Sequence, residues 1–197
     1  METFVRVPGR SAEDALRYAS GLGGEFGLAV PVGLIMGVGP LVVRALAEHG
    51  PVLVEVPISG PGPEVSEAVR RLGRLGAAWV VVDASSGVEA VSSGVAAAAG
   101  VGVRVAAATL QPSIDDAASL RLFGGSRGSV VSRLSRAAVG VGAVGVMCTL
   151  SDLGVVAGLE AFRFAFVGSR DELEEAGRRG ADAALVTDPG IAAGLIE

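Results

Sequence analysis

The sequence contains no lysine, and all 16 basic residues among its 197 positions are arginine. This absence excludes Schiff-base chemistry, a lysine general acid or base, and the lysine of a phosphate-binding P-loop. Asparagine is also missing, and Gln111 is the single glutamine. Loss of heat-labile amides is typical of a thermophile, and a GC-rich genome would skew codon usage in the same direction. Both explanations stay open.

Cysteine and histidine each occur once. The single Cys148 excludes an internal disulfide framework and a multi-cysteine metal site, and it is typical of the reducing cytoplasm. The single His49 follows a predicted helix, where a solvated side chain is the usual finding. A Ser-His-Asp or Cys-His arrangement would have to use His49, and nothing in the pattern places it at the end of a strand.

Charge and hydropathy argue against two classes of partner. The net charge is −5, so we expect no nucleic acid and no anionic membrane surface as partners. The N-terminus has no apolar signal region. Residues 26–43 form an uncharged run, but Pro31, Pro40 and four glycines divide it into a strand, a loop and a helix start. We therefore expect a cytoplasmic protein.

Strand-like and helix-like segments alternate along the whole chain. Eight such pairs at nearly even spacing predict one α/β domain over residues 1–197, a (β/α)8 TIM barrel with a truncated last helix. An uncovered strip beside that helix would favour a homodimer. Residues 111–128 are predicted as a long loop of the kind that serves as a lid. The predicted strands are residues 4–7, 28–32, 52–57, 79–83, 103–110, 143–148, 163–167 and 183–187. The predicted helices are residues 11–22, 39–49, 64–75, 88–99, 129–139, 151–158 and 171–179, with a stub at 191–196.

The active site of such a barrel lies at the C-terminal ends of the strands. Glu55 and Pro57 share the inner face of the third strand because side chains alternate along a strand. Glu55 has no cationic partner within its own strand, so we expect a raised pKa near Asp83. Glu55 and Asp83 could share a proton or an ion such as Mg²⁺, or each could be hydrogen-bonded to loop amides. The polar residues predicted at this end are Glu55, Ser59, Asp83, Ser85, Ser86, Thr109, Gln111, Cys148, Thr149, Ser169, Arg170, Thr187 and Asp188.

Two loops raise the question of phosphate binding. Gly168, Ser169 and Arg170 lie between a strand and a helix, where free backbone N–H groups can hold a phosphate. Ser169 with Glu172 also forms a capping-box pattern, which we favour. Gly124 and Gly125 with Arg127 are a second, weaker phosphate-loop candidate, and a plain surface loop is the alternative.

Several stretches of the chain align in order with a known family: Val32, Gly33 and Leu34; Gly39, Pro40 and residues 42–46; residues 101–110 with Asp115 and Asp116; residues 140–148; and Gly180, Ala181 and Asp182. In these stretches the chain resembles the orotidine 5'-phosphate decarboxylase family, a family of ribulose-phosphate-binding-type barrels. The resemblance covers nearly the whole chain but rests on scaffold positions.

The resemblance implies that the family's functional residues are replaced here. Its Asp-x-Lys-x-x-Asp signature on the third strand falls on Glu55, Pro57 and Gly60. Its second-strand lysine falls on Pro31, and its first-strand aspartate falls near Pro8. Asp83 stands where the family has a histidine, and Gln111 and Pro112 stand where it has a Thr-Ser pair. Residues 167–170 correspond to the family's phosphate-gripping loop in a shortened form. Thr187 and Asp188 stand where the family has the Gly-Arg that holds phosphate.

The resemblance implies that the family's lysine protonates the carbanion left by carbon dioxide. Such electrostatic stabilisation cannot work without the cation. We therefore expect a non-decarboxylating binding or regulatory homologue, which could pair with an active paralogue and take a small anionic metabolite. The alternatives are a carbon-carbon lyase or other enzyme of altered chemistry using Glu55 and Asp83, or an atypical orotidine 5'-phosphate decarboxylase of pyrimidine biosynthesis. No cofactor is expected beyond the Mg²⁺ alternative.

Overall fold

Eight parallel strands close into a barrel, in chain order, in the computed structural model, which describes residues 1–192. Each strand pairs with the next along the chain, and the last pairs with the first. This confirms the α/β (β/α)8 fold predicted from the alternating pattern. The strands are β1 (Glu2–Arg6), β2 (Gly27–Pro31), β3 (Val52–Ile58), β4 (Trp79–Asp83), β5 (Arg104–Ala108), β6 (Gly145–Thr149), β7 (Phe162–Phe166) and β8 (Ala183–Val186).

Helices on the outside connect successive strands. They are α1 (Ala12–Gly21), α2 (Val32–Val38), α3 (Val42–Leu46), α4 (Gly62–Arg74), α5 (Val88–Ala99), α6 (Asp116–Phe123), α7 (Arg127–Gly140), α8 (Leu153–Val156) and α9 (Arg170–Arg178). Short 3-10 turns follow β4, β6 and β8 at Ala84–Ser86, Leu150–Asp152 and Pro189–Ile191. The predicted eighth-helix stub at residues 191–196 falls almost entirely outside the described residues.

Two predicted connections are wrong in detail. The supposed lid at residues 111–128 contains a helix, α6, because Asp115 caps it by accepting a hydrogen bond from the Ala118 amide at 2.7 Å. Gly124 ends α6 in the left-handed conformation at φ +73°, which favours glycine. The helix predicted at residues 39–49 is shorter, α3 at Val42–Leu46, and a further helix that was not predicted, α2 at Val32–Val38, precedes it.

The few aromatic residues are concentrated inside the barrel. Trp79 meets Phe164 edge to face at 4.9 Å between ring centroids, and Phe4 meets Phe164 at 5.7 Å. Each of these fully buried side chains stabilises the fold by about 1.5–3 kcal/mol. Arg104, the first residue of β5, lies 4.1 Å over the Trp79 ring. The N-terminal half of the barrel is therefore packed with side chains, and a ligand can enter only from the other end.

The uncharged run at residues 26–43 resolves into β2, α2 and the start of α3, so the predicted strand and helix start are confirmed, and the predicted loop between them is largely the helix α2. None of the helices formed by residues 1–192 combines the length and the apolar character needed to cross a lipid bilayer.

Candidate ligand site at the barrel mouth

A cavity of about 260 Å³ opens at the C-terminal ends of the strands. Its walls are mainly apolar, with Val81, Met147 and Phe166 above the aromatic core. Three residues predicted for the site meet here, since Glu55, Thr109 and Gln111 all line the cavity. Among the described lining residues, Glu55 is the one ionisable side chain. The cavity is therefore a small, mostly apolar space with a carboxylate at one wall.

Glu55 has no cationic partner within its own strand, as expected, but it forms a two-pronged ion pair with Arg6 of β1. Arg6 Nε donates to Glu55 Oε2 at 2.9 Å, and Arg6 Nη2 donates to Glu55 Oε1. The pair spans β2, in which Ala29 is the register partner of Arg6 and Pro31 that of Glu55. The Glu55 side chain is 10% exposed and that of Arg6 41%. The hydrogen bond from Arg6 to Glu55, together with the opposite charge, raises the pKa of Arg6.

Arg6 is a residue of the barrel mouth that the sequence reasoning missed. Phe4 points into the barrel, so alternation along β1 also turns Arg6 inward. Arg6 lines a second pocket of about 210 Å³ together with Thr187 and Gly168. Phe166 borders both pockets, so Arg6 and Glu55 lie between two adjoining spaces at the mouth.

Asp83 does not join Glu55 in the cavity. Its Oδ1 accepts hydrogen bonds from the backbone amide of Ser85 at 2.8 Å and from the Ser85 hydroxyl at 2.7 Å. The register between β3 and β4 also shifts between Val54 and Ile58, which places Asp83 beyond the level of Glu55. No group of three or more His, Cys, Asp or Glu side chains that could hold a metal occurs among residues 1–192. The Mg²⁺ alternative therefore has no such set of protein ligands in that range.

The other residues predicted on β2, β3 and β5 have local structural roles. Pro31 ends β2 and is the residue before α2, and Pro57 lines the mouth cavity. Gly60 adopts φ +139°, a conformation that few other residues take. Two further side chains join neighbouring elements: the Ser59 hydroxyl lies 2.9 Å from that of Ser86, and the buried Thr109 donates to the Met147 carbonyl at 3.1 Å.

In the segments after β7 and β8, backbone amides donate hydrogen bonds to carboxylates of nearby side chains. Ser169 caps α9 by accepting from the Glu172 amide at 3.2 Å, as the capping-box reading predicts. The Glu172 carboxylate accepts from the Gly168 amide at 2.7 Å, and Asp188 accepts from the Gly190 amide at 2.8 Å. Arg170, in the first turn of α9, lies 3.8 Å from Glu174. Two backbone amides at this edge of the mouth are therefore already occupied.

Arg127 was part of a weak phosphate-loop candidate, but its side chain holds neighbouring segments of the protein together. It pairs with the buried Asp152 through two hydrogen bonds of 3.0 and 2.7 Å. Its guanidinium also donates to three backbone carbonyls, those of Leu110, Gln111 and Ile114. Burial raises the pKa of Asp152, but hydrogen bonds from Arg127 and Thr149 outweigh burial and hold that pKa below its ordinary value. This network fixes the connection after β5 against the turn after β6.

Cys148 does not face the mouth, although it was predicted among the polar residues there. It is buried on the helix side of β6, and its thiol lies 3.6 Å from the Phe164 carbonyl. Burial, reinforced by the charge of Asp152, raises the pKa of Cys148 to about 12.

We expect Cys148 to resist alkylation in the folded protein. A thiol with so high a pKa is neutral at pH 8, and burial also blocks access to it. Labelling with iodoacetamide at pH 8 should be negligible in buffer and rapid in concentrated urea. Equal labelling rates in the two conditions would contradict the buried position.

The arrangement defines a class of protein: a (β/α)8 barrel with a small cavity at its C-terminal mouth. No protein-family model matches the sequence. The chain is 38% identical over 143 residues to the orotidine 5'-phosphate decarboxylase of Anaeromyxobacter sp. (strain K), an alignment that covers 71% of this chain and 62% of that protein. The orotidine 5'-phosphate decarboxylase of Anaeromyxobacter dehalogenans is 36% identical over the same extent. The matched region thus spans less than two thirds of the length of these relatives.

A solved structure supports the same relationship at the level of the fold. The crystal structure of orotidine 5'-phosphate decarboxylase from Lactobacillus acidophilus matches with a TM-score of 0.85 and 19% identity, over 98% of this chain and 92% of that chain. With the sequence relatives, this places the chain in the orotidine 5'-phosphate decarboxylase-like family.

Proposed function

We propose that this chain is a non-decarboxylating member of the family, which binds a small molecule in the barrel mouth. The ion pair between Arg6 and Glu55 carries the proposal. Decarboxylation leaves a carbanion, which needs a nearby cation and a proton donor. The sequence offers no lysine for either role. Arginine scarcely gives up its proton, and Arg6 is already neutralised by the carboxylate that it binds.

The ligand we propose is about one ring in size and carries no phosphate. A volume of about 260 Å³ is below the usual range of roughly 300–1,000 Å³ for ligand pockets. Glu172 and Asp188 occupy the amides of Gly168 and Gly190, and their negative charges would repel a phosphate. A small anionic metabolite would have to displace Glu55 from Arg6 before it could bind there.

Enzymatic use of Glu55 and Asp83 is the weaker proposal. Acid-base catalysis needs two carboxyl groups that reach the same substrate. Asp83 instead holds the turn after β4, whereas Glu55 lines the cavity. An atypical orotidine 5'-phosphate decarboxylase is the remaining alternative, and the following experiment distinguishes it.

We expect no decarboxylation of orotidine 5'-phosphate by the purified chain. The Anaeromyxobacter decarboxylase serves as the positive control, and heat-denatured protein as the blank. In calorimetry, uridine monophosphate should bind no more tightly than uridine, because the phosphate gains no favourable contact. Turnover that disappears in Glu55→Gln would establish the atypical decarboxylase instead. Micromolar binding of uridine monophosphate without turnover would contradict the phosphate-free ligand.

We also propose that the protein assembles through the rim of the mouth, as a homodimer or with an active paralogue. Large apolar side chains are exposed in the connections that follow β2 and β5, namely Val32, Met36 and Leu41, and Leu120 and Leu122. Exposed apolar surface of this kind favours association. Light scattering at micromolar concentration should give at least twice the mass of the monomer. A protein that has the mass of a monomer alone, and still has it after an active paralogue is added, would contradict the proposal.

A further inference from the structure

A further concave site, separate from the two pockets at the mouth, lies on the outside of the barrel. It is a groove of about 470 Å³ over the outer face of β3, between α2 and α4. The floor consists of Val54, Val56 and Ile58, and the walls include Ile35 and Leu72. This volume lies within the range typical of small-molecule sites.

The groove exists because the connection between β2 and β3 covers the barrel incompletely. Helices normally cover the outer face of barrel strands. Here Gly39 and Pro40 separate two short helices, and Val56 and Ile58 stay only half-buried. Val54, Val56 and Ile58 alternate along β3, so the apolar floor is about 13 Å long. It is a narrow strip, suited to an extended chain.

One end of the groove carries positive charge. Arg71 and Arg74, from the last turn of α4, line it. The Arg71 side chain forms an ion pair with Glu67 at 2.6 Å, whereas the exposed Arg74 side chain forms no hydrogen bond or ion pair with any of residues 1–192. None of the described lining residues is acidic. Since α4 runs antiparallel to β3 and leads back toward the start of the barrel, Arg74 lies toward the Val54 end.

We propose that this groove binds an amphiphile with an extended apolar chain and an anionic head group. The chain lies along Val56 and Ile58, and the head group meets Arg74 and Arg71. Charge complementarity selects an anionic over a neutral head, and burial of apolar surface provides the attraction. The strip is too narrow to supply the roughly 800 Å² per partner that a stable protein interface needs, which favours a small ligand over a second chain.

Titration of the full-length protein with decanoate and decanol, below the concentrations at which they self-associate, tests the proposal. We expect decanoate to bind one site and to shift the methyl NMR signals of Ile35 and Ile58. Ala68→Leu should fill the groove and weaken both ligands about tenfold or more. Arg74→Gln should weaken decanoate roughly threefold and leave decanol unchanged.

Arg121→Gln is the matched control, because it removes the same charge from an exposed site on α6. It should leave decanoate binding unchanged, and circular dichroism should show that all three variants fold. Decanoate binding that survives Ala68→Leu, or that falls equally in Arg74→Gln and Arg121→Gln, would overturn the proposal. So would groove signals that shift with protein concentration in the absence of ligand, since a second copy would then cover the groove.

Discussion

Replacing Arg127 by methionine is expected to lower the free energy of unfolding by about 3–5 kcal/mol. The Asp152 side chain is 4% exposed and that of Arg127 14%, so the substitution leaves a buried carboxylate without its cation. It also removes the donor to the carbonyls of Leu110, Gln111 and Ile114. Urea denaturation followed by the fluorescence of Trp79, the single tryptophan, measures the change.

Arg133→Met on the same helix, α7, is the control. Arg133 is mostly solvated and donates one hydrogen bond of 3.3 Å, to the Phe123 carbonyl. Its replacement should change the free energy of unfolding by less than about 0.5 kcal/mol. If both variants lowered the free energy of unfolding by the same small amount, the Arg127 network would not be holding the connection after β5.

The effect of Arg127 should depend on pH in a defined direction. The folded-state pKa of Asp152 lies below its ordinary value, so its pairing stabilises the protein fully above about pH 4. This stabilisation is lost as the pH falls through the folded-state pKa, where Asp152 takes up a proton. The difference in unfolding free energy between the wild type and Arg127→Met should therefore shrink from pH 7 to pH 3. A constant difference would mean that the charge of Asp152 contributes nothing.

Arg127 also bears on the ligand site. Gln111 lines the mouth cavity, and Arg127 holds its backbone carbonyl at 2.9 Å. Arg127 is therefore a positioning residue, which acts on the cavity through the connection after β5.

The barrel could be predicted because its signals are local. Most of the strands are short, mainly apolar runs that end near a glycine, a proline or a helix cap. Alternation along β3 also correctly placed Glu55 and Pro57 on the inner face. These inferences needed only the periodicity of one strand at a time.

The α6 helix was missed although its signals were present. Asp115 and Gly124 bracket the helix as its N-terminal cap and its left-handed end. The glycines and arginines around residues 124–128 suggested a loop, and the short helix between them has little apolar periodicity. The prediction therefore gave more weight to the glycine- and arginine-rich composition than to the capping residues.

The two arginine networks were beyond the reach of the sequence alone. Arg6 lies 49 residues from Glu55, and their pairing depends on the registers of β1 with β2 and of β2 with β3. Arg127 lies 25 residues from Asp152, and their pairing depends on how α7 packs beside the turn after β6. Alternation along β1 could have placed Arg6 inside the barrel, but not its partner.

Replacing Glu55 by glutamine should turn the mouth into an anion site. Arg6 would lose its competing carboxylate while remaining at the border of the two pockets. We expect inorganic phosphate to bind about tenfold more tightly, which corresponds to about 1.4 kcal/mol. Calorimetry with phosphate and sulfate, on the wild type and the variant in the same buffer, measures the change.

The same substitution should reduce stability only modestly, by about 1 kcal/mol, because Arg6 is exposed enough to be hydrated when it loses its partner. Glu160→Gln removes the same charge from an exposed turn before β7 and should change neither phosphate affinity nor stability. If both variants gained phosphate affinity equally, the cause would be the net charge of the protein. If Glu55→Gln gained none, the amides held by Glu172 and Asp188 would be what excludes anions from the mouth, and Arg6 would serve the fold alone.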